Sequence, residues 1–351
     1  MTKYAALSRT EVTAAVERTG LRSRVPVNYH FWLHPETFGE ESETQVRDIL
    51  ENYPDDVQMV EFAMPDEYSA SGEYAEYKWI YKTPPVSSFT LGLDNTVLIS
   101  DSEMSESAGE FIRRFPSPEY KNLTKYNLPD DGRYRLGKWW RTLFERHWTF
   151  RGMEGALTDY YDNPAQVHML FEALTSFYMR LMERGKTEMS LDGIMMGDDL
   201  GTQTGPFFSE RIFTEFFKPY YKLMIDKAHS LGLHCWIHSC GCIKPFIRHF
   251  IDIGLDVLHP IQKYTMDERE IAKEYGKDIT FWSGFDVQRI IPFGSPEDVR
   301  GEIKAMFECY WRPEGGFILS AGNGINGDCP LDSLRALFMQ SFETAMEYAA
   351  K

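Results

Sequence analysis

The sequence lacks an apolar stretch long enough to span a membrane, and residues 1–19 contain no apolar core. A membrane-spanning helix needs about 20 predominantly apolar residues, and a secretory signal peptide needs an apolar core of about 7–15 residues. We therefore expect a cytoplasmic protein with no membrane partner.

Positive charge is also scarce. The chain carries 37 lysine and arginine residues against 53 aspartate and glutamate residues, so its formal net charge is −16 at pH 7. Proteins that bind nucleic acid normally present a basic face to the phosphates. The charge balance therefore argues against a nucleic-acid partner, and we interpret the acidity as a contribution to solubility.

Cysteine is rare, and its distribution is uneven. Five cysteines, an odd number, in a chain without a predicted signal peptide do not indicate a disulfide framework. Three of them, Cys235, Cys240 and Cys242, fall within eight residues. This clustering suggests a metal or thiolate site.

What the sequence does contain is an alternation of short apolar runs and amphipathic stretches. Strand candidates in the second half cover residues 193–196, 235–238, 257–261, 279–282 and 317–320, and those in the first half cover 25–29, 57–62 and 96–99. Segments 65–85 and 122–135 are predicted to be loops. Strand–helix alternation indicates a parallel sheet. With about eight strands, we predict a single α/β domain, residues 1–351: a (βα)8 TIM-type barrel with insertions in its N-terminal half.

Helix starts support this alternation. Ser209 and Ser295 are predicted N-caps, and Asn163 precedes a proline at a third start. Pro330 is predicted in the first turn of the last helix.

Active sites of such barrels lie where strands end and helices begin. Polar side chains follow several successive strand candidates, namely Asp198, Asp199, His238, Ser239, Cys240, Gln262, Asp286 and Asn323. We therefore expect the chemistry at this end of the barrel.

Asp198 and Asp199 are candidates for an acid, a base or a metal ligand. Adjacent side chains point in different directions, so we expect one of the two to face the pocket. The alternative is a loop turn that caps the following segment.

His238-x-Cys240 is the sharpest local signal. In an extended segment both side chains point the same way and can share a zinc ion. Zinc needs at least three protein ligands; Asn323 is a poor one, and Cys329 is the other candidate. A buried histidine beside a passive thiol is an equal alternative, and we interpret Cys235 and Cys242 as structural.

Two aromatic groups accompany these positions. Residues 29–32 (Tyr-His-Phe-Trp) follow the first strand candidate, and Trp139, Trp140 and Trp148 form the second group. Each group is interpreted as core packing or, alternatively, as the apolar lining of a ligand pocket.

These segments together resemble a known family. The runs MMGDDLGTQTG, FKPYYKLMIDKAHSLGLHCWIHSCGCIKPFI, GLDVLHPIQ, FWSGFDVQ, GGFILSAGNGINGDCP and FERHWTFRGMEG resemble the uroporphyrinogen decarboxylase superfamily, in particular its branch of corrinoid-dependent methyltransferases. The resemblance covers roughly residues 140–345 and implies a (βα)8 barrel that transfers a methyl group to or from the cobalt of a partner corrinoid protein.

The resemblance also implies a ligand set for zinc. In the coenzyme M branch, zinc is held by an H-x-C motif, matched here by His238 and Cys240, and by a later cysteine, whose position falls on Asn323. Gln262 falls where that branch can carry a glutamate. The true decarboxylases carry arginines after the first strand, and the corresponding stretch VPVNYHFWLH has none.

The resulting hypothesis is a methyltransferase of the O-demethylase type. It would move a methyl group from a small methylated donor, such as a phenyl methyl ether, to Co(I) of a partner corrinoid protein in anaerobic one-carbon metabolism. Cobalamin on the partner is the expected cofactor, with zinc as an open possibility, and a homodimer is expected by analogy. Alternatives are transfer from methylcobalamin to a thiol or pterin, a uroporphyrinogen-type decarboxylase and a non-catalytic binding barrel.

Specific residues are assigned to this hypothesis. The predicted catalytic residues are Asp198, Asp199, His238 and Glu154; the predicted binding residues are Tyr29, His30, Trp32, Gln203, Gln262, Asp286 and Asn323; the predicted metal ligands are His238 and Cys240.

Overall fold

The computed structural model describes residues 4–20, 23–66, 77–80 and 97–351. Its strands are β1 (Val27–Asn28), β2 (Val57–Glu61), β3 (Tyr134–Trp139), β4 (Gly193–Gly197), β5 (His234–His238), β6 (Val257–His259), β7 (Thr280–Phe285) and β8 (Phe317–Ala321). They form one sheet in the order β1-β8-β7-β6-β5-β4-β3-β2, and every pair is parallel.

The sheet curls into a nearly closed barrel. Because β1 pairs with β8, the first and last strands meet. A backbone hydrogen bond from the Asp56 N–H to the Val27 carbonyl (3.0 Å) connects β1 with the start of β2. Strands β3, β4, β7 and β8 are buried along their whole length, as expected for parallel strands covered by helices. The predicted (βα)8 barrel is confirmed.

Helices surround the sheet. They are α1 (Arg9–Val16), α2 (Glu40–Asn52), α3 (Asp101–Ile112), α4 (Phe144–Asp162), α5 (Pro164–Met189), α6 (Glu210–Ile212), α7 (Lys218–Ser230), α8 (Lys244–Asp252), α9 (Glu268–Tyr275), α10 (Ile290–Phe293), α11 (Pro296–Tyr310) and α12 (Leu331–Ala349), and one π-helical turn (Phe213–Phe217) joins α6 to α7. Among the described residues, no helix has the length and apolar character needed to cross a membrane.

The predicted helix starts are mostly confirmed. Ser209 caps α6, and Ser295 caps α11 in a reciprocal capping box with Asp298. Asn163 precedes α5 as predicted, but its side chain donates to Asp159 instead of capping the helix. Pro330 lies one residue before α12, as its N-cap.

The third strand was predicted in the wrong place. Residues 97–99 are irregular, and the N–H groups of Leu98 and Ile99 donate to the Phe150 carbonyl in α4. The true third strand, β3, begins inside the segment predicted as a loop. Its apolar pattern is interrupted by two buried cations, and each has partners: Arg135 donates to the Met189 carbonyl, and Lys138 pairs with Glu61. Most of the predicted insertion 65–85 lies outside the described residues.

Candidate active site

A cavity of about 490 Å³ opens at the carboxyl ends of β4 to β8. Its lining combines apolar side chains, among them Trp148, Phe207 and Phe285, with polar ones. Six of the residues assigned from the sequence border it: Asp199, Gln203, Cys240, Gln262, Asp286 and Asn323. The structure therefore gathers residues from five strand ends around one space, at the end of the barrel where the sequence predicts the chemistry.

Asp199, His238 and Cys240 form a compact group beside this cavity. Their ligand atoms all lie within 4.8 Å of one another, and no other group of His, Cys, Asp and Glu side chains in the described part of the chain meets this condition for a shared metal ion. His238 Nε2 lies 3.5 Å from Asp199 Oδ1 and 3.4 Å from Cys240 Sγ. Asp199, which the sequence analysis considered as an acid, a base or a metal ligand, is thus the third side chain beside His238 and Cys240.

These spacings fit a zinc ion. Zinc–ligand bonds of about 2.0–2.3 Å at tetrahedral angles place neighbouring ligand atoms about 3.3–3.8 Å apart, and both distances from His238 Nε2 fall within this range. One imidazole, one thiolate and one carboxylate are all ligand types that zinc accepts, and three protein ligands leave a fourth position for water or substrate. The residues present therefore fit the metal that the family resemblance implies.

The loop that carries Cys240 is held by a close backbone approach. Gly201 donates its N–H to the Cys240 carbonyl (3.2 Å), and Cys242 donates to the Thr202 carbonyl (2.8 Å). A Cβ on Gly241, where φ is +82°, would lie 2.2 Å from the Gly201 backbone. Glycine at both positions lets the loops after β4 and β5 touch, and this contact brings Asp199 and Cys240 together.

The carboxylate of Asp199 also helps to orient this loop. Its Oδ1 accepts the Cys240 N–H at 2.7 Å, and the Gln262 Oε1 accepts the next N–H, from Gly241, at 2.6 Å. Asn323 donates from Nδ2 to Cys240 Sγ at 3.6 Å. Burial, together with the negative charge of Asp199, raises the pKa of the Cys240 thiol well above its usual range. Without a metal, the thiol is therefore protonated at neutral pH.

His238 is buried and holds a second imidazole behind it. Its Nδ1 lies 2.7 Å from the Nδ1 of His259, and the Nε2 of His259 lies 2.9 Å from the Ala321 carbonyl. Burial lowers the pKa of both histidines, so both rings are neutral at physiological pH. Nε2 of His238 faces Asp199 and Cys240.

Asp198 lies behind the cavity wall. Its carboxylate accepts the backbone N–H groups of Leu143, Phe144 and Glu145 at 2.8–3.0 Å and the Tyr221 hydroxyl. Burial raises the pKa of this carboxyl, and the four donors counteract it by stabilising the ionised form. This geometry gives Asp198 the role of a cap for α4, an earlier helix, and not for the following segment that the sequence analysis considered.

Glu145 is a residue that the sequence analysis missed. It lies in the first turn of α4 and lines a second cavity of about 970 Å³ next to Trp140. Burial and the charges of Asp199 and Asp198 raise its pKa to about 8. With β3 placed correctly, its position just after that strand would have marked it. Glu154, one of the four residues predicted to be catalytic, is exposed on α4.

The aromatic residues after β1 divide between the core and the site. Tyr29 is fully buried, and its hydroxyl lies 3.1 Å from that of Ser341. His30 Nε2 donates to the Tyr53 carbonyl (2.7 Å). Trp32 stacks on His259, with ring centroids 4.8 Å apart and an interplanar angle of 6°. Of the three, Trp32 packs against the histidine pair, whereas the polar atoms of Tyr29 and His30 are engaged elsewhere.

The remaining predicted residues have defined partners. Asp286 accepts the backbone N–H groups of Gln288 and Arg289 at 2.9 and 3.1 Å and the Tyr264 hydroxyl, and it borders the cavity. Cys329 is buried, and its thiol donates to the Pro330 carbonyl at 3.5 Å. It therefore lies outside the Asp199, His238 and Cys240 group.

Comparison with known proteins places this chain in a family. A model of the uroporphyrinogen decarboxylase (URO-D) family matches residues 148–341, which is more than half of the chain, and the chain belongs to this family. No curated protein matches the sequence.

Two solved structures illustrate the range of structural similarity. A methyltransferase from Methanosarcina mazei is 13% identical over 97% of this chain and 99% of its own, with a TM-score of 0.60. A β-mannanase from the blue mussel Mytilus edulis is 10% identical over 92% and 94% of the two chains, with a TM-score of 0.41. The similarity to the methyltransferase shows a common fold along nearly the full length of both chains.

Proposed function

We propose that this protein is a methyltransferase that moves a methyl group from a small methylated donor to Co(I) of a corrinoid on a partner protein. A phenyl methyl ether is the leading candidate for the donor. The observation that carries the proposal is the Asp199, His238 and Cys240 group at the edge of an open cavity. Membership of the URO-D family and the fold shared with a methyltransferase support it.

The cavity suits a small, partly apolar donor. Its volume of about 490 Å³ lies within the usual range for small-molecule sites, about 300–1,000 Å³. Trp148, Phe207 and Phe285 offer apolar surface to a ring, and Gln203 and Asn323 offer polar contacts on the same lining. A donor in this space would place its heteroatom next to Cys240 and Asp199.

The chain's own residues prepare this end of the cavity. Zinc, when bound, would act as a Lewis acid on the donor's heteroatom. His238 Nε2, Cys240 Sγ and an Asp199 oxygen would hold it, and Asn323 donates to the sulfur. In the metal-free protein, the Cys240 thiol is placed to donate its proton to His238 Nε2 at 3.4 Å.

Decarboxylation of a porphyrinogen is not favoured. Such a substrate carries many carboxylates and needs cationic partners, but residues 25–34 contain no arginine and the net charge is −16. His30, the basic residue directly after Tyr29, donates to the Tyr53 carbonyl. The proposal therefore rests on methyl transfer within the family.

A second candidate has its own supporting observation. A donor set of thiolate, imidazole and carboxylate suits zinc, and zinc can activate a thiol by stabilising its thiolate. Transfer from methylcobalamin to a small thiol would use the same group in the opposite direction. Assays in both directions separate the two candidates.

The test begins with metal analysis and a methyl-transfer assay. We expect about one zinc per chain, lost in His238→Ala and Cys240→Ala but retained in Cys242→Ala, which alters the same loop outside the group. Incubation with reduced corrinoid protein and methoxy-aromatics should then give the absorption spectrum of methylcobalamin. If no methylcobalamin forms from any donor and no thiol is methylated by methylcobalamin, the proposal is wrong.

A further inference from the structure

His259 occupies the inside of the barrel with both ring nitrogens engaged. The side chain is fully buried, stacked on Trp32, and its ring centroid lies 4.3 Å from that of Trp282. Its Nδ1 faces His238 Nδ1 at 2.7 Å, and its Nε2 faces the Ala321 carbonyl at 2.9 Å. The proposed chemistry assigns this residue no role.

The direction of these two hydrogen bonds follows from the chemistry of their ends. A carbonyl oxygen only accepts, so His259 must donate from Nε2. A neutral imidazole carries one proton, and a neutral ring is the form expected here, because His259 is fully buried against Trp32 and Trp282 and its two nitrogens face a neutral carbonyl and another imidazole. Nδ1 of His259 is therefore an acceptor, and His238 must donate to it from its own Nδ1.

The proton on His238 Nδ1 determines what its other nitrogen can do. Nε2 of a neutral His238 then carries a lone pair, and this atom is the one that lies 3.5 Å from Asp199 Oδ1 and 3.4 Å from Cys240 Sγ. In the opposite tautomer, an N–H would point at the same two groups and could not bind a metal. Metal-binding histidines generally donate their other N–H to a partner that fixes this tautomer.

We infer that His259 is a positioning residue. Because it donates to the Ala321 carbonyl, it accepts from His238 Nδ1, and the lone pair of His238 Nε2 is thereby directed toward Asp199 and Cys240. A catalytic role for His259 rests on the proposed metal-dependent function. The tautomer that His259 imposes on His238 does not, because it can be measured in the metal-free protein. Ala321 is the last residue of β8, two residues before Asn323. The hydrogen bonds from His238 to His259 and from His259 to Ala321, which we call the relay, therefore connect the ends of β5, β6 and β8.

The first experiment measures the tautomer without metal. In long-range ¹H–¹⁵N spectra of the ring-labelled apoprotein, with the signals assigned by a His238→Gln variant, we expect His238 to be protonated at Nδ1. A wild-type spectrum showing protonation at Nε2 would overturn the inference, whether or not any variant folds. His259→Phe should shift His238 toward the other tautomer, whereas His259→Gln, which keeps an acceptor and a donor, should retain it.

The second experiment measures zinc affinity by competition with a chromogenic chelator. We expect His259→Phe to weaken zinc binding about 10–100-fold. His259→Gln should stay within a few-fold of wild type, and so should Trp282→Phe, which alters the aromatic packing but not the hydrogen-bonded relay. Equal affinity in His259→Phe and wild type would refute the positioning role. If wild-type protein binds no zinc, the proposed metal centre fails, and the tautomer spectrum still decides the role of His259.

Discussion

Two histidine–aspartate pairs in this barrel each contain a buried histidine but have different surroundings. His147 Nε2 lies 3.0 Å from Asp159 Oδ2, and these side chains are 0% and 1% exposed. His238 Nε2 lies 3.5 Å from Asp199 Oδ1, and these side chains are 4% and 35% exposed. We call them the closed pair and the open pair.

The closed pair belongs to a network with its oxygens occupied. Asp159 accepts from His147, from Arg151 at 2.7 and 3.0 Å, and from Asn163 at 2.9 Å. The open pair instead directs Nε2, a thiol and a carboxylate oxygen to one point beside a cavity. The pairs therefore differ in what surrounds the aspartate: both oxygens of Asp159 accept from buried side chains, whereas Asp199 and His238 Nε2 lie with a thiol beside a cavity.

The largest expected difference between the pairs concerns metal binding. Asp199→Ala should weaken zinc binding at least about 100-fold, because structural zinc sites distribute about 10–16 kcal/mol over their ligands. Asp159→Asn should leave zinc affinity within about twofold. Both are measured by chelator competition on folded protein; unchanged affinity in Asp199→Ala would remove Asp199 from the ligand set.

The next effect concerns the free energy of unfolding. Here we expect the larger loss from the substitution in the closed pair. Asp159→Asn leaves the buried Arg151 without its bidentate partner, and breaking a buried ion pair typically costs about 3–5 kcal/mol. Asp199→Asn, at the edge of the cavity, should cost less than about 1 kcal/mol. Urea unfolding at pH 7 gives both values, and equal losses would mean that the open pair is structural too.

Acid should weaken the closed pair over a defined range. Burial alone would raise the pKa of Asp159, but hydrogen bonds from His147, Arg151 and Asn163 outweigh it and lower the pKa to about 2, from a usual value of 3.8. Because the folded-state pKa is depressed, this stabilisation is present above pH 3.8 and is lost as the pH falls toward 2. It amounts to about 2 kcal/mol.

The measurement is the difference in unfolding free energy between wild type and Asp159→Asn. This difference should be largest above about pH 5 and should shrink by about 2 kcal/mol as the pH falls through that range. A difference that is independent of pH would show that the aspartate does not titrate there.

The sequence analysis grouped His238 with Cys240 but did not group Asp199 with them. His238 and Cys240 were identified because the period of an extended strand places them on one face. Asp199 lies next to Cys240 because the loops after β4 and β5 contact each other at Gly201 and Gly241. Such a contact between distant segments leaves no periodic signal in either one.

The errors in the first half have a different cause. β3 was missed because Arg135 and Lys138 interrupt its apolar pattern, although both are buried with partners. Glu145, which follows β3, was not predicted, and the predicted Glu154 is exposed. Local pattern predicts strands whose buried faces are apolar and fails where long-range hydrogen bonds make burial of a charge possible.

The smallest expected difference in stability is between two asparagine side chains, one in each site. Asn163 donates to Asp159 inside the closed network, and Asn323 donates to Cys240 Sγ at the cavity. Asn163→Ala should cost about 1–3 kcal/mol, because it leaves a buried carboxylate oxygen with one donor fewer. Asn323→Ala, at an exposed residue, should change stability by less than about 0.5 kcal/mol. Urea unfolding of the two variants and wild type, measured under the same conditions, gives both losses of stability.

A larger loss in Asn323→Ala than in Asn163→Ala would mean that the loop after β8 stabilises the barrel. The distinction between a closed structural site and an open functional site would then not hold for these two amides.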